Sequence, residues 1–112
     1  MSSVSLEVLT ELNELLGEGF CILVERFISD GQSRIDKVQE ALLIGNAAVV
    51  YEEAHGLKGS SRNVGANILA DCCGKLEAMG HAQNLAGAEP ILSATVQEFA
   101  VVSKALQDFS AA

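Results

Sequence analysis

Proline occurs once in this chain and tryptophan not at all, and four phenylalanines and one tyrosine are its only aromatics. Aromatic side chains that favour strands are therefore scarce, and a fold built on sheets fits poorly. Cations are also few: seven Lys and Arg stand against fifteen Asp and Glu, a formal net charge of −8. Binding a phosphate backbone needs clustered cations, so no nucleic-acid partner is expected. No apolar run approaches the roughly 18 residues that span a bilayer, and no basic-then-apolar leader opens the chain. A cytoplasmic protein with no membrane partner is the expectation. Of the three cysteines, Cys21 stands alone and Cys72 and Cys73 are neighbours rather than a C-x-x-C pair. Neither a zinc site nor a disulfide framework follows, and small core thiols are expected.

What the chain has in quantity is Ala, Leu, Val and Glu, within 49% hydrophobic residues over 112 positions. That is one domain, 1–112, with a core of its own and a preference for helix. Residues 4–16, "VSLEVLTELNELL", form a short amphipathic helix stopped by Gly17, with Ser3 or Ser5 as N-cap. From Glu18 to Ile44 apolar residues recur by threes and fours at Phe20, Val24, Phe27, Ile35, Val38 and Leu42, which predicts one long helix with a candidate bend at Gly31.

"GN" at 45–46 pairs a C-terminal glycine with an N-cap asparagine, so a tight reversal is expected there. Val50, Ala54, Leu57, Ser61 and Val64 then form the buried stripe of a third helix closed at Gly65. A fourth helix carries Ile68, Leu69, Cys72, Leu76 and Met79 inward. A fifth, from about Ala88 to Phe109, carries Leu92, Val96, Phe99, Val102, Leu106 and Phe109, with Pro90 tolerated in its first turn. Short connections make neighbours antiparallel. The predicted fold is all-α, an antiparallel up-and-down four-helix bundle with a short additional N-terminal capping helix.

Within the third helix, "EEAHGLKGSSRNVG" at 52–65 keeps two interior glycines, each costing about 1 kcal/mol against alanine. At about 100° per residue His55 lies roughly 140° round from Val50 and so points to water. Tyr51, Lys58, Gly59 and Arg62 share its flank. Gly59 removes the side chain that would stand beside the ring, Lys58 places an ammonium within reach of anything attached to it, and Arg62 extends the positive patch. Uncharged imidazole is a nucleophile near neutral pH. A phosphoryl group on it would meet a lysine about 4 Å away, worth roughly 1 kcal/mol per unit charge pair in water and about 4 at an effective dielectric of 20.

If the third and fourth helices reverse near Gly65, residues whose numbers sum to about 130 lie at one height, which brings His55 level with Lys75, Leu76 and Glu77. Leu76 points inward. Glu77, one step round, is in position to accept a hydrogen bond from one imidazole nitrogen and leave the other to attack.

"AHGLKGSS", followed by "NVGA", closely resembles the signature of histidine-containing phosphotransfer (HPt) domains, approximately A-H-x-[LI]-K-G-[SA]-[SA]…G. The likeness extends to the long preceding helix and the later "CCGKLE". It implies a helical bundle, phosphorylation of His55, support from Lys58, and a Gly59 that lets a receiver domain approach. Some members carry an acidic or amide side chain 22 residues after the histidine, a position held here by Glu77. Gly56 falls at a variable place in the pattern and has no role beyond flexibility or close approach.

The implied partners are receiver domains of response regulators and hybrid sensor kinases. The chain has no nucleotide loop and no cofactor is expected on it; Mg²⁺ is expected on the receiver. The protein is thus expected to be a phosphoryl carrier rather than an ATP-using enzyme. Receiver docking is expected over Tyr51, Gly59, Ser60, Arg62 and Asn63, together with surface positions around Phe27, Gln32 and Arg34. His81, beside a helix end, is expected to interact with terminal carbonyls rather than bind a ligand. The alternatives are an HPt-like adaptor that binds a receiver or kinase without transferring phosphate, and a metal-binding bundle enzyme, for which inward Glu-x-x-His pairs are missing. A monomer is expected, since each apolar stripe has an intramolecular use, and the initial Met and full bundle suggest a free-standing protein.

Overall fold

A computed structural model describes residues 2–111. The elements are α1 (Leu6–Leu16), α2 (Gly19–Ile44), α3 (Ala47–Asn63), α4 (Asn67–His81) and α5 (Ala88–Ala111), with no strand among the described residues. Ser5 caps α1, its hydroxyl accepting from the Val8 N–H at 3.3 Å. Between α2 and α3 the chain reverses in two residues. Gly45 takes φ +73°, which a side chain would resist, and Asn46 Oδ1 accepts the Val49 N–H at 3.2 Å.

Gly65, also left-handed at φ +74°, turns α3 into α4, and its carbonyl accepts the Ser5 N–H at 3.0 Å. That bond ties the start of α1 to the α3–α4 end of the molecule, which makes α1 the cap. The four long helices pack in a ring, α2 on α3, α3 on α4, α4 on α5 and α5 back on α2. This is the predicted all-α bundle.

One apolar core fills the ring, with Phe20, Phe27, Val50, Leu69, Leu76, Phe99 and Leu106 among its buried members. Gly31 belongs to it. A Cβ there would lie 2.4 Å from Phe99 Cε1, so the glycine makes room for a ring while α2 runs on from Gly19 to Ile44. On α4 and α5 the expected inward residues Leu69, Leu76, Leu92, Phe99, Val102 and Leu106 are buried, and single positions beside them depart from expectation. On α4, Cys73 and Ala70 are buried while Cys72, Ile68 and Met79 are only half-buried. On α5, Thr95 is 1% exposed and Val96 42%. Thr95 tolerates burial because its hydroxyl donates to the Ile91 carbonyl at 2.7 Å, one turn back.

Gly80 sets the fit of α3 against α4. A Cβ there would stand 2.6 Å from the Tyr51 backbone nitrogen and 2.8 Å from the Ala47 carbonyl oxygen, so only glycine allows the two backbones to approach this closely. That crossing fixes the height at which the middle of α3 faces α4. All three cysteines are free, and among the described residues no helix is long and apolar enough to cross a membrane.

Candidate functional site

His55 projects from the middle of α3 with 62% of its side chain exposed. Its Nδ1 lies 2.5 Å from Oε2 of Glu77 on α4, and the Lys58 ammonium donates to Oε1 of the same carboxylate. The Glu77 side chain is only 14% exposed, so both bonds sit in the α3–α4 groove while the imidazole stands above it. The hydrogen bond from Lys58, with a smaller contribution from that of His55, holds the Glu77 carboxyl below its ordinary pKa against the opposing effect of burial. An ionised carboxylate only accepts hydrogen bonds, so Nδ1 carries the ring proton. In the uncharged form of this exposed ring Nε2 then holds the free lone pair.

Tyr51, one turn before His55, lies nearly parallel to the imidazole, with centroids 6.0 Å apart and planes inclined by 14°. Its ring also lies 5.7 Å from that of His81, at a tilt of 42°. On the opposite side of His55 there is open space. A Cβ at Gly59 would meet no atom within 4 Å, so nothing inside the protein requires a glycine there. Among the described residues no group of three His, Cys, Asp or Glu side chains is placed to hold a metal ion.

The Hpt domain family model matches residues 22–112, the whole of α3 and α4 included. The chain belongs to the Hpt domain family. By that membership it is a histidine phosphotransfer protein of the phosphorelay type. The crystal structure of histidine-containing phosphotransfer protein B (HptB) from Pseudomonas aeruginosa PAO1 superposes with a TM-score of 0.92 at 29% identity, covering 98% of this chain and 96% of that one. No curated protein matches the chain.

In this Hpt protein the residues singled out from sequence divide into two groups. His55, Lys58, Glu77, Tyr51 and Gly59 converge on one spot. The Lys58 ammonium, expected within reach of a group attached to the ring, is engaged by the carboxylate that also binds the ring, that of Glu77. Arg62 and Asn63 are exposed further along α3, and the half-buried Ser60 returns its hydroxyl to the Gly56 carbonyl at 3.1 Å. Ser60 and Asn63 line a groove of about 600 Å³ between α3 and α2, whose α2 wall includes Arg26, Phe27 and Asp30. Phe27, on the apolar stripe expected of the long helix, is buried with its ring 5.8 Å from that of Phe99, and the surface around it is supplied by its neighbours Arg26 and Asp30.

Sequence reasoning left Gly56 unexplained. In the structure the guanidinium of Arg34, from α2, occupies the space its side chain would fill: a Cβ there would lie 2.3 Å from Nη1 and 2.4 Å from Cζ. Arg34 is held by Asp30 at 3.0 Å and by Glu53 at 3.2 Å. These partners, Asp30 foremost, keep its pKa above the ordinary value.

Proposed function

We propose that this protein carries a phosphoryl group on Nε2 of His55, taking it from the aspartyl phosphate of one receiver domain and passing it to the aspartate of another. One observation supports the reading above the rest: Glu77 occupies Nδ1 and so leaves Nε2 as the free nucleophile of an exposed ring. In the transfer, the Nε2 lone pair attacks phosphorus in line, the N–P bond forms, and the P–O bond to the aspartate breaks with its electron pair returning to that carboxylate. The ring becomes cationic as this happens. Glu77, already ionised and bonded to Nδ1–H, is in place to stabilise that charge.

Lys58, anchored beside it, offsets the incoming phosphoryl charge by an amount on the order of 1–4 kcal/mol per charge pair, depending on how far docking excludes water. That is small enough to leave transfer reversible. Mg²⁺ is supplied on the receiver, and this chain adds no cofactor. We place the protein in the cytoplasm as a single-domain monomer that binds receivers of response regulators and hybrid kinases, not nucleic acid or membrane.

Gly59 provides the approach. Its open surroundings let a receiver's backbone come close to Nε2, which explains a glycine that the fold itself does not need. Incubation with a receiver domain carrying labelled aspartyl phosphate is expected to move label to the wild type and not to His55→Gln. Label that never leaves the receiver, despite binding, would instead identify an adaptor.

A further inference from the structure

We propose that Arg34 is a partner-recognition residue, its guanidinium seated over Gly56 to hydrogen-bond a carboxylate or carbonyl oxygen of the receiver domain that exchanges phosphate with His55. This rests on the phosphotransfer reading and adds a second point of contact to it. At about 100° per residue, Gly59 lies some 40° round α3 from His55, and Gly56 some 60° further toward α2. The exposed face of α3 is thereby bracketed by the imidazole on its α4 side and by Arg34 on its α2 side. A partner that comes down over Gly59 to reach Nε2 meets both.

The arginine is prepared for such a contact. Asp30 takes its Nε–H and Glu53 a proton of Nη1, whereas Nη2 has no partner among the described residues, and the side chain is 30% exposed. Two carboxylates thus hold the planar fork in one orientation before any partner arrives, which lowers the ordering cost of binding. A purely structural pin between α2 and α3 explains the arrangement poorly. The helix penalty of glycine, about 1 kcal/mol, is comparable with what the two partly exposed ion pairs of Arg34 usually return together. Keeping Gly56 for Arg34 therefore gains little stability and gains a preformed donor beside the histidine.

The test uses the full chain and the receiver domain that transfers phosphate to it fastest among the purified receivers of its organism. Arg34→Ala is expected to weaken receiver binding at least about tenfold, the loss typical of a well-packed interfacial arginine. Labelling of His55 by phosphoramidate, a small donor that needs no docking, is expected to stay at the wild-type rate. Gly56→Ala, which keeps the arginine but displaces its guanidinium, should weaken binding in the same direction and add nothing in the Arg34→Ala background. Wild-type affinity in Arg34→Ala, with or without a lower melting temperature, overturns the proposal, as does full additivity of the two losses. A wild type that accepts phosphate from phosphoramidate yet binds no receiver overturns the phosphotransfer reading as well.

Discussion

Alanine at two glycines, Gly59 and Gly80, should change stability in opposite directions, although both lie inside helices that pack together. At Gly59 the added methyl meets nothing within 4 Å. Only helix propensity then operates, so Gly59→Ala should stabilise the protein by about 1 kcal/mol, which raises the melting temperature by roughly 4 °C at this chain length. At Gly80 the same methyl would stand 2.6 Å from the Tyr51 nitrogen and 2.9 Å from its Cα, atoms of a helix backbone that cannot rotate away. The helices must part. Overpacking costs about 1–3 kcal/mol, and against three fixed backbone atoms the upper part of that range applies, which outweighs the propensity gain. Thermal and urea denaturation of both variants would measure the difference. Phosphate transfer from a receiver should meanwhile fall for Gly59→Ala and be blocked for Gly59→Glu, with phosphoramidate labelling of His55 retained in both. A Gly59→Ala protein that is less stable than wild type would refute the packing argument, and a Gly59→Glu protein that accepts phosphate from a receiver normally would refute the docking argument.

Glu77 makes stability pH-dependent. Its carboxyl is held below the ordinary value, so its contribution is complete above about pH 4.5 and lost as pH falls through its lower folded value. Glu77→Gln should accordingly flatten the acid limb of a stability–pH profile; an unchanged limb would contradict the assignment. Gly31→Ala puts a methyl 2.4 Å from Phe99 Cε1 and should cost about 1–3 kcal/mol in urea denaturation, with Phe99→Leu recovering part of the loss in the double variant. Burial pushes the Cys73 thiol up to about 12, so iodoacetamide at pH 8 should modify the exposed Cys21 in the native protein and reach Cys73 only on unfolding, as peptide mass mapping would show.

Those predictions draw on features that the amino-acid order reveals unequally. The stripe of α3 was legible to the residue, including buried Ser61, whose hydroxyl donates to the Leu57 carbonyl at 2.7 Å. Its period is regular and its ends are marked by Asn46 and Gly65. Glu77 could be found because a short turn fixes which residues of two antiparallel helices share a height. Single positions beside the inward residues of α4 and α5 were less legible. Adjacent residues differ by only about 100° in direction, and a threonine that bonds back to its own helix is as acceptable inside as a valine. The seat of Arg34 over Gly56 carries no local signal at all, because it joins residues of two helices through a long side chain whose direction spacing does not determine. The same freedom explains why spacing placed Lys58 on the helix without revealing that its ammonium binds Glu77.

The central claim concerns one atom, and NMR can address it directly. With uniformly ¹⁵N-labelled protein incubated with a phosphorylated receiver domain, long-range proton–nitrogen correlations of the His55 ring report which nitrogen carries phosphorus. The account predicts phosphate on Nε2 with the proton retained on Nδ1. Phosphate on Nδ1, or a ring left unmodified while the receiver loses its phosphate, would contradict it.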